Sequence, residues 1–402
     1  MRFGVNYIPS KDWLYSWLDF DEESIRRDIL TIKSLGFDHI RAHTIWSYFQ
    51  PNESVLSEHC MNNLKKFCRI CRECDMDYFL SLFTGWMSGF VFFPSWLNVG
   101  GPDVWHLGMF SNERAMKAEK FYIREIAAVT ASEKNFLGFD LGNELNVVAN
   151  RDVDPQIDYD KCAAWSREMF RVCNEVAPEK MHSNGMAHAP WFGDTYFPRK
   201  ALANDGDITP VHAWAPFTHT SRRYGFSGKE THRLPNYMIE MAKAYCDDPT
   251  RKYWVQEWGM ADEWVKSEEE LRIFITKTLE NCVSDPSIWG ITWWCSHDIS
   301  HRFTGFCSIE YSLGVIDVSN QPKAAGLIFK EFIENYKEGK YPVIRPTKAL
   351  VIQKGTGASE DYTNAEPYFN MLQKGEYVAF VTEENKNNRE YLNARGITEV
   401  IG

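Results

Sequence analysis

The 402-residue chain lacks the segments that would export a protein or fix it in a membrane. No run of 18 apolar residues is present, so no transmembrane helix is expected. The first seven residues enter an apolar, strand-like run directly, without the basic segment, apolar segment and cleavage site of a secretory signal. Provided that no signal peptide preceded residue 1, the sequence predicts a cytoplasmic protein.

Basic residues are too few and too scattered for a nucleic-acid-binding protein. The 44 Lys and Arg are outnumbered by 55 Asp and Glu, which gives a formal net charge of −11, and no Lys/Arg-rich run occurs. Nucleic-acid phosphates are bound by basic patches or stripes. We therefore expect no nucleic-acid partner, and we attribute the acidic surplus mainly to solubility.

The ten cysteines are expected to be reduced thiols, because the chain is long and carries no export signal. Cys68, Cys71 and Cys74 have a spacing superficially similar to that of an iron–sulfur motif. Their segment is helical in pattern, however, which turns Cys74 away from Cys68, and no fourth Cys or Pro follows closely. No other His, Asp and Cys cluster has metal-ligand spacing, so neither a metal nor a cofactor is expected.

Short β-rich runs alternate with helical stretches eight times along the chain. The predicted strands are 3–9, 39–46, 78–84, 136–144, 181–186, 208–214, 253–258 and 290–294. Eight consecutive βα units without hairpin signals favour a (β/α)8 TIM barrel over residues 1–340. A doubly wound open sheet is the alternative, but it would need a Gly-rich phosphate-binding turn where the chain reads Tyr7-Ile8-Pro9.

After Pro346 the pattern changes to that of a small α/β C-terminal appendage, residues 346–402. Strands are expected at 348–353, 377–381 and 398–401, and helices at 365–373 and 388–394. The segment carries no recognisable catalytic signature. Three roles remain open for it: covering a barrel face, forming a dimer contact, or extending the wall of a cleft.

The predicted strands end in polar and aromatic side chains, which is where barrel enzymes build their sites. These residues are Arg41, His43, Asn143, Glu144, His212, Trp214, Glu257, Trp293 and Trp294, with His297 shortly after the last strand. Glu144 and Glu257 are predicted to face one another across the barrel mouth. Glycoside hydrolysis needs two carboxyl groups, one to protonate the departing oxygen and one to meet the charge that develops at the anomeric carbon.

These residues resemble clan A of the glycoside hydrolases, most closely family 5. The match comprises Asn143-Glu144 after the apolar run 136–142, Glu257 within 254–259 (WVQEWG), and the segment 313–317 (LGVID), and it covers about residues 1–340. The resemblance implies a retaining β-glycosidase with Glu144 as general acid/base and Glu257 as nucleophile. In that mechanism Glu144 must start protonated and Glu257 ionised.

The resemblance also implies roles for the neighbouring residues. Arg41 corresponds to the arginine that steadies the nucleophile and lowers its pKa, while the charge of Glu257 is expected to raise the pKa of Glu144. Asn143 would hold the sugar 2-hydroxyl, His212 is the strand-six histidine, and Trp293 or Trp294 would form the floor of the first sugar subsite. The family usually has Tyr at the position of Trp214, so its hydrogen bond to the nucleophile is not carried over. Trp214, His297 and Trp86 are expected only to contact the sugar.

Each of these residues also has a structural interpretation. Glu144 and Glu257 would bridge to barrel arginines, Arg41 would pair with Asp140, and His212 would satisfy backbone groups.

Three function classes remain open. The layout is most similar to that of intracellular β-mannosidases, and long loops at 85–111 and 297–312 would close one end of the cleft for exo action.

The partner of such an enzyme is a small oligosaccharide with a terminal β-mannosyl unit, including one linked to N-acetylglucosamine. The alternatives are an endo-β-1,4-mannanase or endoglucanase, and a carbohydrate-binding barrel without activity. The sequence does not determine the sugar epimer, the aglycone or the oligomeric state.

Overall fold

The computed structural model describes residues 1–100, 104–339, 341–358 and 360–402. Its strands, numbered in chain order, are β1 Arg2–Asn6, β2 His39–Ile45, β3 Asp77–Thr84, β4 Trp86–Met87, β5 Phe90–Val91, β6 Phe136–Asp140, β7 Ile208–His212, β8 Lys252–Trp258, β9 Ile288–Trp293, β10 Lys348–Val351, β11 Val378–Val381 and β12 Glu399–Ile401.

The α-helices follow the strands in the alternation that the sequence predicts. They are α1 Glu22–Ser34, α2 Trp46–Phe49, α3 Glu58–Glu73, α4 Glu113–Thr130, α5 Leu145–Arg151, α6 Tyr159–Val176, α7 Arg199–Asn204, α8 Thr220–Tyr224, α9 Lys229–His232, α10 Leu234–Tyr245, α11 Glu268–Val283, α12 Ala324–Glu338, α13 Ala365–Gln373 and α14 Arg389–Ala394. Short 3-10 helices cover Trp13–Trp17, Ala189–Trp191, Asp262–Trp264 and Ser308–Ser312.

Seven parallel strands form the main sheet, in the order β6-β3-β2-β1-β9-β8-β7. The predicted fifth strand, 181–186, is not a regular strand, and this part of the prediction is wrong. Its backbone nevertheless runs beside β6, where Ser183 N donates to Phe139 O at 2.8 Å, and Asp207 N, just before β7, donates to His182 O at 2.8 Å. This segment occupies the eighth position between β6 and β7, so the (β/α)8 barrel is confirmed.

Helix α1 shows how local sequence produces the βα unit. Asp21 caps its N terminus, and the apolar residues Ile25, Ile29 and Ile32 are buried on one face. The chain then turns at Gly36 with φ of +90°, a conformation that glycine adopts without a steric penalty. The turn directs the chain into β2 beside β1.

Bulky side chains fill the barrel below the strand ends. Phe79 and Trp254 pack with ring centroids 4.4 Å apart, and the indole N–H of Trp254 donates to Thr292 Oγ1 at 2.6 Å. His39 also binds Thr292 Oγ1, at 2.9 Å, and its ring fits only because Gly4 has no Cβ, which would lie 2.4 Å from it. The barrel interior is therefore a packed core rather than a channel.

The C-terminal segment forms a separate three-stranded parallel sheet in the order β11-β10-β12. Tyr237 of α10 packs against Tyr368 and Phe369 of α13, with ring centroids 5.4 and 5.7 Å apart. Tyr362 reaches the loop after β7 and donates its hydroxyl to Thr218 O at 2.9 Å. The appendage therefore covers a barrel face on the side of α10.

The long loop 85–111 contains an antiparallel hairpin, β4–β5, which the sequence did not predict. Residues 101–103 of this loop lie outside the described residues. No helix within the described part of the chain has both the length and the apolar character needed to cross a membrane.

Candidate active site

Arg41 lies at the centre of the mouth, fully buried on β2. Its Nη1 donates to Glu257 Oε1 at 2.6 Å and to Asn6 Oδ1 at 3.0 Å. Its Nε and Nη2 donate to Asp140 Oδ2 at 2.9 and 2.7 Å, and Nη2 also donates to Asn143 Oδ1 at 3.1 Å. Arg41 thus pairs with Asp140, as the structural interpretation held, and also holds Glu257.

Glu257 is placed by an irregularity at the end of β8. The pairing register shifts on both sides of this strand, after Val211 and after Val255. Successive residues of a regular strand point to opposite faces, whereas a bulge redirects them. As a result Gln256 and Glu257 both hydrogen-bond to groups at the barrel mouth, while Trp258 packs outward on Trp293, with ring centroids 4.9 Å apart.

The second oxygen of Glu257 has two further neighbours. Trp214 Nε1 donates to Oε2 at 3.3 Å, and His212 Nδ1 lies 3.3 Å from the same atom. The side chain of Glu257 is only 5% exposed. Trp214 therefore makes the contact that the resemblance assigns to tyrosine.

Glu144 begins helix α5 in an unusual conformation, with φ 49° and ψ 48°. Left-handed backbone is uncommon for residues other than glycine, and such strain is concentrated at functional sites. Its side chain is 21% exposed, and His212 Nδ1 lies 3.4 Å from Oε1. Glu144 is thus more open to solvent than Glu257 on the other side of His212.

His212 bridges the two carboxylates from its fully buried place at the end of β7. Its Nε2 contacts Gln256 Oε1 at 2.9 Å. Its partners are therefore side chains of the site, in contrast to the backbone groups of the structural interpretation. Gln256 was not singled out from the sequence, because strand alternation assigns it and Glu257 to opposite faces.

The pKa values of the two carboxyl groups lie in the opposite order to the one expected. Burial raises the pKa of Glu144, but the hydrogen bond and charge of His212 outweigh burial and hold that pKa below its ordinary value. Burial raises the pKa of Glu257 above its ordinary value, against the lowering effects of His212 and Arg41. The expectation omitted His212, whose own pKa is raised, against burial, by Glu257 and Glu144. The three groups share their protons as a unit.

Asn143 is oriented from both sides. Its Oδ1 accepts from Arg41 at 3.1 Å, and its Nδ2 donates to the backbone carbonyl of Trp86 at 3.2 Å. The ring of Trp86 is half-buried and has the guanidinium of Arg151 4.3 Å from its centroid. Trp86 therefore borders the site with its backbone, while one face of its ring is covered.

The two tryptophans at the end of β9 point in different directions. Trp293 is fully buried between the sheet and α12, 5.5 Å from the ring of Phe329, and its indole donates to Leu313 O at 2.9 Å. The sugar contact suggested for Trp293 is therefore corrected. Trp294 faces the mouth, with its ring 5.8 Å from that of His43.

His297 is likewise not a site residue, contrary to the expectation. It is fully buried, its Nδ1 donates to Ile8 O at 3.1 Å, and its Nε2 contacts Asn320 Oδ1 at 2.9 Å. Both nitrogens are thus engaged in fastening the loop after β9 to the end of β1. Its position three residues after Trp294 in sequence does not bring it to the mouth.

The hairpin β4–β5 and the loop after β9 meet beside the site. Ser88 Oγ donates to Glu310 Oε2 at 2.9 Å, and Phe90 packs on Phe306 with ring centroids 4.6 Å apart. Burial and the charges of Glu257 and Glu144 raise the pKa of Glu310 to about 7, against the lowering effect of the hydrogen bond from Ser88. Glu310 therefore lies within electrostatic reach of both carboxylates.

Three residues of this region were not predicted from the sequence. Ser88 and Glu310 lie in irregular loops without periodicity, which gives no signal. His188 lies in the segment after 181–186. Burial lowers its pKa to about 4, and the charge of Glu144 acts in the opposite direction. For His188, the only indication in the sequence was that a histidine follows shortly after the end of a predicted strand.

Within the described residues, one group of His, Cys, Asp or Glu side chains converges closely enough to bind a cation. It consists of Glu144, His212 and Glu257, with one ligand atom from each lying within 4.8 Å of the others. The guanidinium of Arg41 already lies 2.6 Å from Glu257. The positive charge of Arg41 therefore already pairs with one of these carboxylates and would repel a second cation.

Comparisons with known proteins find similarity to both the sequence and the fold of the chain. The sequence model of the family described as Cellulase (glycosyl hydrolase family 5) matches residues 11–294. No curated protein sequence is similar to the chain. The structure is similar over its entire length to several solved proteins.

A GH5_18 protein from Streptomyces cattleya, solved as a variant in complex with Manβ1-4GlcNAc, is 32% identical with a TM-score of 0.92, over 100% of this chain and 98% of that one. GH5_18 from Bifidobacterium longum subsp. infantis is 29% identical, with a TM-score of 0.90 over 100% and 96% of the two chains. A variant of GH5_18 from Bifidobacterium longum subsp. longum, also in complex with Manβ1-4GlcNAc, is 29% identical, with a TM-score of 0.89 over 100% and 95%.

Proposed function

The chain belongs to glycosyl hydrolase family 5, and from that premise we propose that it is an exo-acting β-mannosidase that cleaves Manβ1-4GlcNAc. As a member of this family it is a retaining glycoside hydrolase of clan A. The sugar, the aglycone, the exo action and the roles of individual residues are our proposal. Each is supported by a separate observation.

The spacing of the carboxylates supports Glu144 and Glu257 as the catalytic pair. One oxygen of each lies within 4.8 Å of the other and of His212. Retaining enzymes hold their carboxyl groups about 5–5.5 Å apart, whereas inverting enzymes leave about 6.5–9.5 Å for a water molecule. The short spacing favours direct attack on the sugar by one of the two carboxylates.

The surroundings support a division of roles between them. Burial raises the pKa of Glu257, but Arg41 and Trp214 donate hydrogen bonds to it, which favour the ionised form and fix it in place, as a nucleophile requires. Glu144 is more exposed, which suits a group that must meet both the leaving group and a water molecule. A carboxyl oxygen of Glu257 bonds to the anomeric carbon while Glu144 protonates the departing oxygen. Glu144 then takes a proton from water, whose oxygen displaces Glu257.

The observation that carries the substrate is the end-to-end similarity to two GH5_18 proteins solved with Manβ1-4GlcNAc. Both alignments include the whole of this chain, so they cover the C-terminal appendage as well as the barrel. The similarity therefore extends to the loops that surround the mouth.

The contact between the two loops supports exo action. An endo-acting enzyme needs a cleft that is open at both ends, so that a polymer can pass through. Here the bond from Ser88 to Glu310 and the packing of Phe90 on Phe306 join the loops beside the carboxylates. A site closed on this side favours a terminal sugar unit over an internal one.

The test is hydrolysis of Manβ1-4GlcNAc, mannobiose, polymeric β-mannan and the p-nitrophenyl β-mannoside, β-glucoside and β-galactoside. The wild type would be compared with Glu257→Gln and with Glu269→Gln, an exposed carboxylate at the start of α11 that serves as the matched control. We expect the highest kcat/KM for Manβ1-4GlcNAc in the wild type and the control, and no turnover by Glu257→Gln. Equal or faster cleavage of the polymer, with an early fall in its viscosity, would contradict exo action.

A further inference from the structure

Glu310 and Ser88 form a pair beside the proposed site that the reaction steps above do not use. They are 222 residues apart in sequence, and Ser88 Oγ donates to Glu310 Oε2 at 2.9 Å. Ser88 lies at the tip of the β4–β5 hairpin, and Glu310 lies in the 3-10 helix Ser308–Ser312. Neither segment supplies a residue to the predicted catalytic set.

The β4–β5 hairpin that carries Ser88 also contacts Asn143 of the proposed site. The backbone carbonyl of Trp86, the first residue of β4, accepts from Asn143 Nδ2 at 3.2 Å. Asn143 is the residue expected at the sugar 2-hydroxyl, and Ser88 follows Trp86 by two residues. The charges of Glu257 and Glu144 also act on Glu310, so the pair lies within electrostatic reach of both carboxylates, on the hairpin that contacts Asn143.

The backbone of Ser88 is a second indication that the side chain is selected for a contact. Ser88 has φ of 51° and Gly89 has φ of 86°, so both turn residues are in the left-handed region. Two-residue hairpin turns of this kind favour Asn or Asp followed by Gly. A serine in that conformation is less favourable, and its hydroxyl is the group that reaches Glu310.

Fastening the two loops does not by itself account for a carboxylate at this position. Phe90, Phe306 and Trp13 already pack together, with ring centroids of Trp13 and Phe306 4.8 Å apart. No Lys, Arg or His of the described residues forms an ion pair with Glu310. Burial and the charges of Glu257 and Glu144 raise the pKa of Glu310 to about 7, so the ionised form of this carboxyl group is disfavoured here.

A nearby pair, Ser308 and Glu263, forms a hydrogen bond that only joins two loops. Ser308 Oγ donates to Glu263 Oε1 at 3.0 Å, and this bond ties the same 3-10 helix to the loop after β8. Glu263 is exposed, whereas Glu310 is half-buried and interacts with the charges of the two catalytic carboxylates. The two pairs have the same chemistry, and they differ in their position relative to the site.

We propose that Glu310, positioned by Ser88, accepts hydrogen bonds from the 3- and 4-hydroxyl groups of the terminal sugar and thereby excludes a chain extended at its 4-position. The proposal rests on the function proposed above. With Asn143 at the 2-hydroxyl, the next groups around the ring away from the anomeric carbon are those at C3 and C4. Two adjacent hydroxyls match the acceptor geometry of one carboxylate.

The experiment measures kcat/KM for p-nitrophenyl β-mannoside and its 3-deoxy, 4-deoxy and 6-deoxy analogues. The enzymes are the wild type, Glu310→Ala, Glu310→Gln and Ser88→Ala, with Glu263→Ala as the matched control. We expect the wild type to lose about 10- to 100-fold on the 3-deoxy or 4-deoxy analogue, because a hydrogen bond to a charged group is lost. Glu310→Ala should show a similar loss on the parent substrate and little further loss on these analogues.

The remaining enzymes separate binding from structure. Glu263→Ala should keep the wild-type pattern, and Ser88→Ala should weaken the discrimination without abolishing it. If Glu310→Ala or Glu310→Gln retains the full wild-type penalty on the 3-deoxy and 4-deoxy analogues, Glu310 does not bind these hydroxyls and the inference is overturned. If a β-glucoside is hydrolysed in place of the mannoside, the proposed substrate fails, and the inference is tested with the deoxy analogues of that glucoside.

Discussion

The indole N–H of Trp214 donates to Oε2 of Glu257 at 3.3 Å, while the guanidinium of Arg41 donates to Oε1 at 2.6 Å. Each oxygen of the proposed nucleophile therefore has its own donor. Such fixed donors stabilise the carboxylate anion and orient it toward the sugar without reorganisation during the reaction. An indole can serve here because the contact requires one N–H donor.

Replacement of Trp214 by Phe should lower kcat/KM by about 10- to 100-fold, since it removes a hydrogen bond to a charged group. Loss of the donor also makes the anion of Glu257 less favourable, so the acid limb of the pH profile should move to higher pH. Trp214→Tyr is the matched variant, because the family usually has tyrosine at this position. Steady-state kinetics across pH would contradict the assignment if Trp214→Phe behaved as the wild type.

Replacement of Glu257 by Ala should abolish turnover to below about 10⁻³ of wild type, because no group remains to form the covalent intermediate. Azide can occupy the space vacated by the carboxylate. It should restore cleavage of an activated mannoside and give the α-mannosyl azide, with inverted configuration. The anomeric configuration of the product is read by NMR.

Replacement of Glu144 by Ala provides the complementary measurement. This variant should still form the intermediate with a substrate whose leaving group needs no proton, such as a dinitrophenyl glycoside. Azide should then attack the intermediate and give the β-mannosyl azide, with retained configuration. The same azide configuration from both variants would mean that the two roles are not divided between Glu144 and Glu257 as proposed.

Replacement of His212 by Asn should shift the whole bell-shaped pH profile upward. His212 lowers the pKa of both Glu144 and Glu257. Without it the nucleophile ionises at higher pH, which moves the acid limb up. The acid also keeps its proton to higher pH, which moves the alkaline limb up.

The measurement is kcat/KM for p-nitrophenyl β-mannoside between pH 4 and 9 for the wild type, His212→Asn and His59→Asn, an exposed histidine on α3. His59→Asn should keep the wild-type profile. A profile of His212→Asn with lower activity but unchanged limbs would mean that His212 does not set the ionisation of the carboxylates.

The sequence predicts the part of the site that follows from strand ends. That rule placed five residues that the structure brings together at the mouth: Arg41, Asn143, Glu144, His212 and Glu257. The rule does not specify the direction of a side chain, so Trp293 and Trp294 were not distinguished. Trp293 is the last residue of β9 and Trp294 directly follows it, and adjacent side chains at a strand end point to opposite faces.

Long-range contacts account for most of what could not be predicted. Ser88 meets Glu310, and Gln256 meets His212, only because loops and a register shift bring them together. The predicted strand 181–186 fails for a related reason. Its residues have the apolar pattern of a strand, but only part of the segment pairs with β6. The local sequence pattern therefore predicted the order of the elements more accurately than their pairing.

A stability prediction concerns Glu119, which is fully buried on α4. Its Oε2 accepts from Trp165 Nε1 at 2.8 Å, and its Oε1 has no hydrogen-bond partner among the described residues. Burial raises the pKa of Glu119 to about 8 from an ordinary value of 4.5. The folded chain therefore binds this proton more tightly than the unfolded chain, and stability falls as the pH rises from about 4.5 through about 8.

Replacement of Glu119 by Gln keeps an acceptor for Trp165 and removes the titration. Each pKa unit is worth about 1.4 kcal/mol, so the variant should gain up to a few kcal/mol relative to the wild type between pH 5 and pH 8.5. Thermal melts at both pH values measure the gain, with Glu125→Gln, an exposed residue of the same helix, as the control. A stability difference between Glu119→Gln and wild type that stays constant with pH would show that Glu119 does not carry a buried proton.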